Sequence, residues 1–218
     1  MPDTQNYPEL YTYHNKVCNL FAQQSPDTLY KVLVFVFLTI RESTPKLDSI
    51  TQAYRKHSEN IPSFNMQMRR IGTTYAKENK VYLYTEFMHI LNSSLTDQEK
   101  EFWLIDLFAE IPYLNTAKAG FATTLSTPFG GCFDRWHLER FNVSKDYISI
   151  NKNSKSMEHR ADKIRIYQSE IKRSGGTAFL WDVWMDECAE RFPKYYKSGA
   201  EVSARHIWWL SGEKVFDF

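Results

Sequence analysis

Apolar residues recur at three- and four-residue spacing along most of the chain, and Pro and Gly fall between the segments that carry them, which predicts a nearly all-helical protein. Ser25-Pro26-Asp27 supplies a cap and a first-turn proline for a helix from Pro26 to Ile40. This segment is almost wholly apolar from Val32 onward, so it should be buried on every side. A second helix, Pro45 to about His57, places Leu47, Ile50 and Tyr54 on one face before Asn60-Ile61-Pro62 stops it. A third begins after Ile71-Gly72 and runs through Tyr82, Leu83, Phe87 and Leu91. Ser94-Leu95-Thr96-Asp97 reads as a turn and cap ahead of Phe102 to Phe108, and Ile111-Pro112 ends that helix.

A hairpin follows, then a helix from Ala117 to about Leu125. The loop Ser126-Thr127-Pro128-Phe129-Gly130-Gly131 is rich in breakers and expected to be flexible. Asp134 opens a helix reaching Phe141. The last third holds a basic helix, about Ser156 to Lys172, a break at Ser174-Gly175-Gly176, an amphipathic helix from Phe179 to Arg191, and an aromatic tail with Trp208 and Trp209.

At 218 residues and 43% hydrophobic, the chain can bury one or two cores. Cys18, Cys132 and Cys188 lie far apart with no C-x-x-C pair, which points away from disulfides and thiolate metal sites and toward a reducing cytoplasm. The N-terminus lacks a basic-then-apolar signal, and the longest apolar run, Val32 to Ile40, is too short to cross a bilayer. A soluble, unprocessed monomer without a membrane partner is expected. The histidines show no H-x-x-x-H pair and no glycine loop has the nucleotide-binding pattern, so neither metal nor organic cofactor is expected. Net charge is only +1, so any nucleic-acid binding requires a local basic face. Between Lys152 and Arg173, seven Lys or Arg stand against Glu158, Asp162 and Glu170, a phosphate-facing stripe or a solvated helix face.

The stretch Ile111-Pro112-Tyr113-Leu114-Asn115-Thr116-Ala117-Lys118-Ala119-Gly120-Phe121, followed by Gly131-Cys132-Phe133-Asp134-Arg135-Trp136-His137, resembles the hairpin and catalytic loop of the endonuclease III type of DNA glycosylase. That family's pattern is L-P-G-V-G-x-K-x-A followed by V-D-T-H. Leu33 to Pro45 resembles its buried helix and DNA-facing loop, and Ile71-Gly72 with Lys77 its next turn and helix, so the likeness spans roughly residues 30 to 141. Tyr113 and Asn115 replace the two hairpin glycines; of the pair, Asn is the better suited to a positive φ. Lys118 falls one residue later than the family's lysine, a placement that resembles phage-borne relatives with K-A-x-F and G-C-x-D patterns. The C-terminal region has only Cys188, so the family's iron-sulfur cluster is absent.

The resemblance implies an all-α, two-lobed helix-hairpin-helix fold with a central DNA cleft. A helical barrel would cover residues 26–132, with the hairpin motif at about 105–125, and a second lobe would combine 1–25 with 133–218. It implies an enzyme that flips a damaged or modified base out of double-stranded DNA, as in DNA repair, and hydrolyses its N-glycosidic bond. Asp134 would be the carboxylate stabilising positive charge on the sugar, unless it is only a helix N-cap. Lys118 would be an amine nucleophile or a phosphate contact; one position later on a helix is about 100° round, which favours the contact and a monofunctional reaction. Backbone N–H groups at Asn115, Thr116 and Ala117 would bind phosphate. Arg41 would plug the gap left by the base, with Glu42, Ser43, Tyr113, Phe133, Trp136 and His137 lining the pocket. Three other readings stand beside it: a base-flipping transferase or pyrophosphorylase that hypermodifies thymine derivatives in phage DNA, a non-catalytic DNA-binding module, and an unrelated helical protein.

Overall fold

The structure is a computed structural model that describes residues 17–40, 67–150, 156–202 and 205. Arg41, Glu42, Ser43, the helix expected from Pro45, Lys152, Lys155 and the Trp208-Trp209 tail lie outside the described residues. Within them the elements are helices, with no strand.

Helix α1, Pro26–Leu38, begins where the sequence says it should. Ser25 and Thr28 form a reciprocal capping box and Pro26 occupies the first turn. Every residue from Val32 to Leu38 is buried. Each such apolar side chain contributes roughly 1.5–3 kcal/mol on burial, so α1 can only be the centre of its neighbourhood. Around it pack α2, Gln67–Glu78, α3, Lys80–Asn92, and α5, Thr116–Ser126; α4, Asp97–Ala109, packs on α3 and α5.

Ile71-Gly72 does not precede a helix but lies inside α2. A Cβ on Gly72 would sit 2.1 Å from the Phe37 ring and 2.9 Å from the Pro112 carbonyl, so the glycine permits α2 to press on α1 and the hairpin. The expected single helix breaks instead at Asn79, whose side-chain amide donates to the Tyr75 carbonyl.

Beyond α5 come α6, Arg135–Phe141, the short α7, Lys145–Ile148, then α8, Met157–Arg173, and α9, Thr177–Arg191. Helix α8 packs against α4, α5, α7 and α9, and α9 against α6. One connected apolar core runs from Cys18 and α1 through Phe108 and Phe133 to Leu180 and Tyr196.

The basic helix is committed to its neighbours in part. Arg160 pairs with Asp106, Lys163 donates to the Asp146 and Tyr147 carbonyls at 2.8 Å, Arg165 pairs with Asp162, and Arg173 with Glu170. Arg165 also lies over the Phe102 ring. Arg160 and Lys163 tie α8 to its neighbours, whereas Arg165, Lys172 and Arg173 remain exposed. No helix among the described residues is long and apolar enough to cross a membrane.

Candidate active site

The hairpin between α4 and α5 is a tight turn. The Leu114 N–H donates to the Ile111 carbonyl at 3.0 Å, with Pro112 and Tyr113 at the corners. Tyr113 has φ 72° and Asn115 φ −96°, reversing the sequence expectation that Asn would take the left-handed position. Proline followed by a positive φ is the type II arrangement, and a bulky residue there costs on the order of 1 kcal/mol. Asn115 is instead the N-cap of α5, its side chain accepting from the Lys118 N–H at 3.2 Å. Thr116 is fully buried and donates its hydroxyl to the Ile148 carbonyl, so its side chain anchors α5 and does not face solvent.

The loop after α5 is not the flexible segment that its glycines suggested. A Cβ on Gly130 would lie 2.4 Å from the Thr123 and Thr124 backbone, and one on Gly120 would lie 2.5 Å from the Gly131 carbonyl. The loop is therefore packed directly on the α5 backbone. Tyr167 of α8 clamps it: the buried hydroxyl donates to the Gly131 carbonyl at 3.0 Å and accepts from the Phe133 N–H at 2.8 Å. Behind the loop, buried Glu101 accepts from Gln168 at 3.0 Å, and its Oε1 has no partner among the described residues. Burial pushes the Glu101 carboxyl up to about 7, against the Gln168 hydrogen bond and the nearby Gly131 backbone.

This packing delivers Cys132 and Asp134 to one place. Asp134 is the N-cap of α6: Oδ1 accepts from the Trp136 N–H at 3.0 Å and the His137 N–H at 3.3 Å. Oδ2 accepts from the indole N–H of Trp184 on α9 at 2.8 Å. His137 is buried, its Nδ1 lying 2.9 Å from Asp134 Oδ1 and 3.2 Å from the Asp134 backbone nitrogen. Its Nε2 is 2.8 Å from the Leu180 carbonyl, which only accepts, so that nitrogen carries a hydrogen. A proton on Nδ1 as well makes the ring an imidazolium bonded to the carboxylate; without it, Nδ1 accepts from the Asp134 N–H.

Lys118 extends from the first turn of α5 to the end of α1, donating to the Thr39 hydroxyl at 3.0 Å and lying over the Phe121 ring. Its charge also acts on Cys132 and Asp134, while its contacts are with Thr39 and Phe121. Burial lowers the Lys118 amine below its ordinary value, and the Asp134 charge opposes that shift without cancelling it. Burial and Asp134 push the Cys132 thiol up, against Lys118, so it stays protonated at neutral pH. Burial works to raise Asp134, but the His137 hydrogen bond and charge and the Lys118 ammonium outweigh it and hold the carboxyl below its ordinary value. With its side chain 26% exposed, Asp134 is an anion at neutral pH that solvent reaches.

Among the residues expected to line a base pocket, Phe133 and His137 are in the core, their rings packed on each other and Phe133 also on Phe141. Neither offers a face to a base in this conformation. Trp136 is half-buried, stacked on Trp184 with Arg191 over its ring. Tyr113 is half-buried at the hairpin, and Ala117 sits half-buried in the first turn of α5. Sequence reasoning missed Thr39, Cys132, Tyr167 and Trp184 as site residues; Cys132 stood inside the quoted motif and Thr39 inside the Leu33 to Pro45 stretch, but Tyr167 and Trp184 lay outside both. Among the described residues no cluster of His, Cys, Asp and Glu could hold a metal ion. No family model matches the chain, and no curated protein or solved structure matches it either.

Proposed function

We propose that the chain is a base-flipping DNA glycosylase that hydrolyses the N-glycosidic bond of a damaged or modified base, with Asp134 as its carboxylate. The observation that carries the reading is an ionised, solvent-reached carboxylate, Asp134, fixed through both oxygens at the start of α6 by the Trp136 and His137 N–H groups and the Trp184 indole. Breaking the glycosidic bond builds positive charge on the sugar, and a fixed anion beside C1′ lowers that barrier. A carboxyl held below its ordinary range is a weak base, so Asp134 acts by charge more than by taking a proton from water. The lowered Lys118 amine is the group that would form an imine with the opened sugar. Its burial gives that role more weight than its offset in the sequence does.

The test is a panel of duplexes carrying uracil, oxidised, alkylated and phage-type modified bases, incubated with the protein and then heated in alkali. Strand breaks accompanied by free base support the glycosylase, and a covalent adduct trapped by borohydride that is lost in Lys118→Met assigns the amine. Turnover that requires an added amino acid or amine supports the transferase. DNA binding with no product from any duplex would leave the scaffold as a binding module.

A further inference from the structure

We infer that Trp184 is a positioning residue that orients the Asp134 carboxylate through its indole N–H, an inference that rests on Asp134 being the working carboxylate. The two oxygens of Asp134 do different jobs. Oδ1 is taken up by the start of α6, accepting from the Trp136 and His137 N–H groups. Oδ2 is not needed by the cap, and it accepts from the Trp184 indole at 2.8 Å. A cap alone fixes one oxygen and leaves the carboxyl plane to turn about it; the second bond, from a helix 50 residues along the chain, fixes the plane.

The indole itself has little freedom. It lies between Trp136 and Trp181, with ring centroids 6.0 and 5.9 Å away. The helix that carries it is tied to the same cap a second time, through His137 Nε2 and the Leu180 carbonyl at 2.8 Å. One helix, α9, therefore holds both members of the Asp134 and His137 pair. An indole N–H only donates, so its bond favours the carboxylate over the acid. A phenyl ring would keep part of the aromatic stack without the N–H, and the bond to Oδ2 is what the stack does not supply. The titratable groups facing Asp134 are His137 on its own helix, Lys118 from α5, Cys132 from the loop and Tyr167 from α8.

Trp184→Phe keeps an aromatic ring but removes the N–H together with part of the indole. In carbon-13 NMR of the full chain, the Asp134 carboxyl should titrate at higher pH in Trp184→Phe than in the unaltered protein. On whichever duplex the unaltered protein releases a base from, kcat should fall about tenfold at unchanged KM, with the acid limb of the rate profile moving to higher pH. An unmoved carboxyl titration, or an unmoved kcat and acid limb, overturns the inference. A measurement on the unaltered protein does not depend on the variant folding: the Trp184 indole proton should change shift in step with the Asp134 titration, and an indole that stays constant through it overturns the inference too. The two ideas fail separately. If Asp134→Asn abolishes release while Trp184→Phe changes neither rate nor profile, Trp184 is structural and Asp134 stands; if Asp134→Asn leaves release intact, Asp134 falls and the positioning role falls with it.

Discussion

The Lys118 ammonium donates to the Thr39 hydroxyl at 3.0 Å, joining the first turn of α5 to the end of α1 across 79 residues. The bond holds an amine indoors, where burial lowers it below its ordinary value of 10.5. An amine lowered on folding binds fewer protons than in the unfolded chain, so stability rises with pH between the folded value and 10.5, and the full penalty is present below that window. Lys118→Met is therefore expected to raise the melting temperature at pH 7, by about 2–4 °C for each kcal/mol recovered, with the gain shrinking toward pH 10.5. Thermal unfolding of both proteins at three pH values checks this, and a variant less stable at pH 7 contradicts it.

Tyr167 stitches the loop that carries Cys132 and Asp134. Removing its hydroxyl strands the Gly131 carbonyl and the Phe133 N–H in a buried place, so Tyr167→Phe is expected to cost about 1–3 kcal/mol. Urea unfolding measures it, and hydrogen exchange at Phe133 should quicken. A midpoint equal to that of the unaltered protein would mean the loop is held by its packing on α5 alone.

Glu101 should make stability fall as pH rises. Its carboxyl is raised to about 7 from an ordinary 4.5, so between those values the folded chain keeps a proton that the unfolded chain releases. The destabilisation grows across that window and is constant above it. Glu101→Gln should match the unaltered protein at pH 4 and exceed it at pH 8, by an amount on the order of 3 kcal/mol. Equal unfolding midpoints at pH 8 would show that the carboxylate is not penalised behind the loop.

Much of the helical order was legible because caps and breakers are local chemistry. Ser25 with Pro26, Thr96 with Glu99 and Asp134 with His137 all cap the helices they precede. Gly72 misled because a glycine used for close approach inside a helix has the same letter as one that ends a helix. Gly130 and Gly131 misled likewise, marking contact with α5 and α8 rather than freedom. The orientation of Lys118 was not legible from its offset, because the rotation of α5 is set by buried Thr116, Ala119 and Phe121, and by a turn in which Tyr113 takes the left-handed conformation. Phe133 and His137 neighbour the proposed chemistry in sequence yet face the core. Trp184 stands far away in sequence and touches the carboxylate, and no local pattern in α9 marks that contact.

The central claim concerns the charge on Asp134, and Asp134→Asn isolates it. Asparagine is as good an N-cap as aspartate, so α6 should still form, while the amide NH2 facing the Trp184 indole N–H and the lost carboxylate charge should lower the melting temperature without unfolding the chain. The measurement is single-turnover release of free base from a duplex that the unaltered protein processes. The account predicts a loss of about 100-fold or more in Asp134→Asn with DNA affinity retained. A variant that releases base within about threefold of the unaltered rate, less than 1 kcal/mol of barrier, would show that the Asp134 carboxylate does no more than cap its helix.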